Sequence, residues 1–170
     1  TTDLWSLNSG RVQAKMGVNE KTLPAKSQVS FVLIDNHHLR ESGVRYFCAL
    51  SRIFVLITTN KDHPAFAVDE ENLHIIYQDT LSVPSALEIL KTEYSCNRIT
   101  IQCGGTLNSL FLREKLFDYV DLVVAPVLFV VMDTATLFDG NSLMSEKELN
   151  QLGVLQLQNC TVLEDSYLRL

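Results

Sequence analysis

The stretch ITIQCGGTLNSLFLREKLFDYVDLVVAPVL, residues 99–128, places two adjacent glycines between an apolar, β-branched run and a run with helical spacing. Glycine weakens strands and helices alike, so Gly104 and Gly105 require a reason. A strand that ends in two glycines and leads directly into a helix exposes the first N–H groups of that helix, and the amino end of a helix favours an anion. The pattern indicates a phosphate-binding turn. The alternative is a tight turn in which glycine supplies a positive φ.

The residues around these glycines match neither common nucleotide fingerprint. They do not read G-x-G-x-x-G, and no Lys follows the second glycine at the place that a Walker loop requires. After the glycines, Leu107, Leu110 and Phe111 recur at helical spacing, and Thr106 is the predicted N-cap of that helix. On spacing alone, the phosphate-binding turn and the tight turn both stay open.

Apolar segments rich in β-branched and aromatic residues recur along the chain and are predicted as strands. The predicted strands are 3–8, 29–35, 52–59, 73–78, 98–103, 119–128, 154–163 and 167–170. Near-continuous apolar runs at 31–34 and 53–57 suit parallel strands covered on both faces, whereas 154–163 alternates and suits an antiparallel edge. Helical patterns lie between the strands at 41–51, 82–94 and 106–116, and Ser85 and Glu88 have capping-box spacing. This order predicts an α/β fold with a mixed, mainly parallel sheet.

Composition limits the classes of partner. The 170 residues, 46% of them hydrophobic, fit one domain with a sizeable core. The net charge of −6 disfavours nucleic acid and anionic membranes, because the 14 Lys and Arg residues are scattered. No apolar run approaches the roughly 20 residues that cross a bilayer, and no signal-peptide pattern opens the chain. A cytoplasmic protein whose partner is a small molecule or another protein is expected.

Cysteines and histidines give no metal signature. The four cysteines are far apart and form no C-x-x-C pair, which favours buried reduced thiols over a zinc knuckle or a disulfide framework. His37 and His38 are adjacent on a polar loop, His63 precedes a proline and His74 lies in a predicted strand. This arrangement favours solvated loop histidines over a zinc site.

Three segments carry a resemblance to a known family. They are 6–13, SLNSGRVQ; 31–66, which contains FVLIDNHHLRESGVRYF and IFVLITTNKDHPAF; and 102–128, which contains the two glycines, Asp118 and Pro126. Over residues 3–140 the chain resembles the dihydrofolate reductase-like superfamily. Within it, the chain is most similar to the C-terminal reductase domain of the bifunctional deaminase-reductase of riboflavin biosynthesis. The resemblance implies a mainly parallel mixed sheet flanked by helices, with antiparallel C-terminal strands.

The resemblance also implies NADPH as the cofactor and assigns residues to it. Backbone around Gly104, Gly105, Thr106 and Leu107 would hold the pyrophosphate, Gly10, Arg11 and Val12 would lie along the cofactor, and Thr58 and Thr59 would bind the phosphate side of the adenosine ribose. Arg11 suits phosphate because its guanidinium binds two oxygens at once. A surface ion pair is the alternative for Arg11, and ordinary strand-end hydroxyls are the alternative for the two threonines.

Two departures from the family bear on the substrate. The family usually has Glu immediately before the Gly-Gly pair, where its carboxylate faces the substrate, and this chain has Cys103. A neutral thiol accepts hydrogen bonds poorly, which argues against a ribosylaminouracil substrate. Cys103 is thus the predicted substrate-contacting residue, either as an inert small residue or as a nucleophile. The second departure is bulk at Val130–Met132, where the family has small residues, with Asp133 and Thr134 available for polar contacts.

The resemblance leads to two hypotheses of function. The first is an NADPH-dependent reductase that transfers a hydride to a small heterocyclic or sugar-like substrate, in a riboflavin-pathway-like reaction with no identified proton donor. The second is a non-catalytic nucleotide-binding or assembly module that retains the reductase fold. Residues 1–170 are expected to be a single reductase-like domain without the family's first strand and loop. By family analogy it forms a homodimer through its C-terminal strands.

Overall fold

The computed structural model describes residues 4–128, 136–139 and 154–170. The chain divides into two compact units, one that ends at Gly104 and one that begins at Gly105, and each is described by itself. In the first unit, five strands pair in parallel in the order β4-β3-β2-β1-β5. They are β1 (Trp5–Ser9), β2 (Ser30–Ile34), β3 (Phe54–Thr58), β4 (Leu73–Tyr77) and β5 (Thr100–Ile101). The predicted α/β fold with a mainly parallel sheet is confirmed.

Helices in the first unit connect successive strands. They are α1 (Gly10–Lys15), α2 (Glu41–Leu50), a 3-10 helix (Pro64–Ala67) and α3 (Val83–Tyr94). The six-residue α1 begins directly after β1 and is absent from the sequence prediction. Its few residues show no full apolar period, so nothing in the pattern distinguishes it from a turn.

The start of α3 corrects the predicted cap. The hydroxyl of Ser82, not that of Ser85, accepts a backbone hydrogen bond, from the Ser85 N–H at 3.4 Å. Pro84 lies in the first turn, where its fixed φ suits the helix and its missing N–H costs nothing. The helix therefore begins at Val83, and the predicted Ser85–Glu88 capping box is wrong.

The core of the first unit forms where α2 packs on the sheet. All five residues of β3 are buried, which explains the unbroken apolar run of this strand. Phe47 of α2 stacks on Phe54 of β3, with their ring centroids 5.4 Å apart. Burying such a side chain stabilises the fold by about 1.5–3 kcal/mol. This packing holds α2 against the centre of the parallel sheet.

The second unit contains helix α4 (Gly105–Arg113) and a small antiparallel sheet. Its strands are β6 (Val123–Val124), β7 (Thr161–Val162) and β8 (Leu168–Arg169), in the order β6-β8-β7. The predicted antiparallel C-terminal strands are thus confirmed. Among the described residues, each is two residues long, and together they form a separate sheet instead of an edge on the parallel one. The single-domain assignment stays a prediction.

No helix within the described ranges combines the length and the apolar character needed to cross a bilayer.

Candidate functional site

The strand order reverses between β1 and β5, which is the place where open α/β sheets form a ligand crevice. From β1 the chain continues to β2 on one side, whereas β5 lies on the other side of β1 and is reached from β4 through α3. Ligands of open α/β sheets bind at such a reversal, outside the carboxyl ends of the two strands. The Gln102 N–H donates to the Leu7 carbonyl at 2.8 Å, so the two strand ends stay together up to the glycines.

The turns after β1 and β5 are close to each other. A Cβ placed on Gly104 would lie 3.7 Å from Cγ2 of Val12, which is an ordinary van der Waals contact. The structure therefore brings together two segments that the family resemblance predicts to contact the cofactor, one around Gly10–Val12 and one at Gly104.

Gly10 is required by a close approach of its own chain. A Cβ at this position would overlap the Cβ and the carboxylate of Asp35, the residue that follows β2. The turn after β1 therefore packs directly on that side chain, and any residue larger than glycine must displace it.

Asp35 is a buried carboxylate that accepts hydrogen bonds from four donors. These are the backbone N–H groups of His38 (3.1 Å) and Leu39 (2.9 Å), Nδ1 of His38 (2.8 Å) and Nε2 of His63 (3.0 Å). Burial by itself would raise the pKa of Asp35, but the hydrogen bonds from His63, Leu39 and His38 outweigh it and lower the pKa to about 2. Asp35 is therefore an anion at neutral pH.

His63 is buried and uses both ring nitrogens. Its Nδ1 accepts the N–H of Ala65 at 3.0 Å, so the ring proton lies on Nε2, which donates to Asp35. The solvated-loop interpretation is therefore wrong for His63. No group of three or more His, Cys, Asp or Glu within the described ranges could hold a metal ion.

Sequence analysis missed Asp35 and His63 as a pair. The available signal is a carboxylate directly after a buried strand. The partner lies 28 residues further along the chain, so only the fold joins the two.

The two threonines after β3 differ in environment. The Thr58 hydroxyl is buried, donates to Oδ1 of Asn36 at 3.1 Å and accepts the Asn60 N–H at 3.1 Å. Thr59 is half-buried, and its N–H donates to the same Asn36 oxygen at 2.8 Å. Thr58 therefore orders its own loop, which agrees with the strand-end alternative. Contact of either threonine with a ligand stays a prediction.

Cys103 carries a protonated thiol. It is half-buried, and its Sγ donates to the Leu7 carbonyl at 3.7 Å. Burial raises the pKa of the thiol to about 12. Nucleophilic cysteines need a lowered pKa, so the environment favours the inert small residue over the nucleophile. Contact of Cys103 with a substrate stays a prediction.

Arg11 and Val12 follow Gly10 in α1. Arg11 is exposed, and it forms no ion pair with any residue that the structure describes. The surface ion-pair alternative thus finds no support there. Val12 is half-buried.

Gly105 in the second unit is enclosed by its own chain. A Cβ on Gly105 would lie 2.7 Å from the Thr136 carbonyl oxygen and 2.8 Å from Cβ of Asp139. The Asp139 N–H donates to the Gly105 carbonyl at 3.0 Å. Neither Gly104 nor Gly105 has a positive φ, so the alternative of a tight turn that needs one is wrong.

Thr106 and Leu107 lie in the first turn of α4, which begins at Gly105. The prediction of Thr106 as the N-cap is therefore wrong, because an N-cap precedes the first helical residue and Thr106 is the second residue of the helix. Pyrophosphate binding by these residues stays a prediction. Val130–Met132, Asp133 and Thr134 lie outside the described residues.

The chain is similar to known proteins both in sequence pattern and in fold. The model of the RibD C-terminal domain family matches residues 12–163. The solved structure of Acinetobacter baumannii RibD, form 2, aligns with a TM-score of 0.64 and 16% identity. The alignment covers 98% of this chain and 46% of that one, so the chain spans about half of the RibD chain. No curated protein matches. Since the family model covers most of the sequence, the chain belongs to the RibD C-terminal domain family, as its motifs predict.

Proposed function

We propose that this chain is an NADPH-dependent reductase domain that transfers a hydride to a small heterocyclic or sugar-like substrate, in a riboflavin-pathway-like reaction. The observation that carries the proposal is the reversal of strand order at β1 and β5, where Gly104 and Val12 are neighbours at the carboxyl ends of the two strands. Family membership supports a reductase-type function in riboflavin biosynthesis.

The residues at this reversal fit a dinucleotide phosphate. Gly104 presents bare backbone, since a Cβ there would meet only Val12 at 3.7 Å within the first unit. Arg11 is an exposed cation in the adjacent turn. NADPH, when bound, supplies the hydride. The chain would bind the phosphates through the Gly104 backbone and Arg11 and would contact the substrate through the neutral Cys103 thiol.

Titration of NADPH fluorescence tests the cofactor assignment. Arg11→Ala should weaken binding by about 1.5–3 kcal/mol, the range for a hydrogen bond to a charged group, and high salt should narrow the difference. Lys26→Ala is the matched control, because Lys26 is also exposed but precedes β2 and so lies at the opposite edge of the sheet. Equal affinities of the unaltered chain and Arg11→Ala would contradict the assignment of Arg11, and no binding by any of them would contradict the function.

A non-catalytic nucleotide-binding or assembly module is the second candidate. Cys103 favours it, because a thiol whose pKa is raised to about 12 supplies no ionised group next to the glycines. Both candidates bind NADPH, but only a reductase oxidises it. Incubation with pterin, pyrimidine and sugar-like acceptors, followed by loss of NADPH absorbance, separates the two.

The partner proposed besides the small substrate is a second copy of the chain, in the cytoplasm, with no nucleic acid or membrane bound. Exposed apolar residues on the antiparallel sheet support a homodimer, among them Val123 (53% exposed) and Val162 (70% exposed). The net charge of −6 supports the absence of nucleic acid. Light scattering during size-exclusion chromatography should give twice the monomer mass, and a monomer at micromolar concentration would contradict the dimer.

A further inference from the structure

Three segments at the carboxyl edge of the parallel sheet converge on one side chain. Gly10, the first residue of α1 and directly after β1, packs against Asp35, which itself follows β2. His63, in the loop after β3, donates to Asp35 from Nε2 at 3.0 Å. Both side chains of the Asp35–His63 pair are completely buried. A single carboxylate thus determines the relative positions of the segments that follow three neighbouring strands.

The convergence is geometrically restrictive. A buried carboxylate is tolerated only when its oxygens are hydrogen-bonded, and here two backbone N–H groups and two imidazoles satisfy them. His63 cannot turn away without breaking the bond that its Nδ1 accepts from Ala65. The Asp35 side chain is therefore fixed, and the backbone of Gly10 is held in one position where it packs against that side chain.

A solely apolar contact would pack these segments equally well, so packing alone does not explain a buried anion. An apolar side chain has several rotamers and registers of similar energy, whereas directed hydrogen bonds select one arrangement. Binding sites gain affinity when their residues are held in place before the ligand arrives. The residues that immediately follow Gly10 are Arg11 and Val12, which are assigned to the dinucleotide above.

We propose that Asp35 and His63 are positioning residues that hold the Gly10–Val12 turn in the conformation that receives the dinucleotide. This proposal rests on the proposed function and deepens it. Neither residue contacts the ligand in this account, because both side chains are buried and engaged within the first unit. The pair acts through Gly10.

Substitution of His63 tests the proposal through two readouts. His63→Leu removes the donor to Asp35, whereas His63→Gln retains a neutral N–H donor. We expect His63→Leu to raise the NADPH Kd by about tenfold, an effect typical of a residue that acts through another. In the ligand-free protein, the backbone order parameters of residues 10–12 should fall from about 0.85 towards 0.6. His63→Gln should restore both towards the values of the unaltered chain.

His74→Gln is the matched control. His74 lies on β4 and packs against the Tyr94 ring at 5.1 Å, so its loss lowers the melting temperature without touching Asp35. Its NADPH Kd and the order parameters of residues 10–12 should not change. If His63→Leu does not fold, His38→Ala replaces it as the test, because it removes one imidazole donor to Asp35 and keeps the backbone donors. Its NADPH Kd should rise and the order parameters of residues 10–12 should fall.

The outcomes separate the two proposals. If the unaltered chain binds NADPH and folded His63→Leu binds it equally well, the positioning role is overturned and the proposed function stands. If the His63 variants and His74→Gln all lose affinity in proportion to their stability, the effect is general destabilisation and the positioning role is again overturned. If the unaltered chain does not bind NADPH, the proposed function and the positioning role are overturned together.

Discussion

The segments that follow β1 and β5 both contain glycine, but a side chain added at these glycines would meet different surroundings. Gly10 is enclosed by the fixed carboxylate of Asp35, and Gly105 is enclosed by residues 136–139. Within the described part of the first unit, a Cβ placed on Gly104 would meet only Val12, at 3.7 Å. Gly10 and Gly105 therefore serve the fold, and Gly104 is the glycine whose backbone we propose to be open to a ligand. A glycine pair in sequence does not by itself tell which member serves which purpose.

Gly10→Val should have the largest effect on stability. The new side chain must displace Asp35, which four hydrogen bonds hold in place, so we expect a loss of about 3 kcal/mol or more in the free energy of unfolding. Urea denaturation followed by circular dichroism measures it. A loss below about 1 kcal/mol would mean that the turn yields easily and that Asp35 does not fix it.

Acid should remove the contribution of Asp35 next. Its pKa is lowered from 3.8 to about 2 in the folded chain, so its carboxylate stabilises the fold above the unfolded value and this contribution disappears as the pH falls through the folded value. The loss should amount to about 2 kcal/mol between about pH 4 and pH 2. Denaturation across this range measures it. Asp121→Asn removes an exposed ion pair and is the control, because this variant should lose the same free energy of unfolding over this pH range. A free energy of unfolding that does not change with pH in the unaltered chain would contradict the buried anion.

Gly105→Val should have a smaller effect on stability than Gly10→Val. Its side chain would meet the Thr136 carbonyl and Asp139, which are both exposed, whereas the Asp35 side chain that Gly10→Val meets is buried and held by four hydrogen-bond donors. We expect a loss of about 1 kcal/mol, at the low end of the range for overpacking. The same denaturation assay measures it, and a loss that equals the one for Gly10→Val would show that residues 136–139 are held as firmly as Asp35.

The sequence alone predicts the parallel sheet because its strands are continuous apolar runs, such as that of β3, and because helical patterns separate them. It also predicts the turn at Gly104, because glycine directly after a strand is a local signal, whereas the turn at Gly10 is predicted by the family resemblance alone. It cannot predict the Asp35–His63 pair or the segment that encloses Gly105, because their partners lie far along the chain. The cap of α3 fails for a different reason, since Ser82 and Ser85 are both suitable hydroxyls and only the helix start distinguishes them.

Gly104→Val tests the central claim most directly, because it adds a side chain where the first unit leaves open space. The chain should remain folded, with a free energy of unfolding within about 1 kcal/mol of the unaltered value. NADPH affinity, measured by fluorescence titration, should fall at least about a hundredfold, because the branched side chain would occupy the place proposed for the phosphates. A folded Gly104→Val variant that binds NADPH as tightly as the unaltered chain would contradict the phosphate site at the carboxyl ends of β1 and β5.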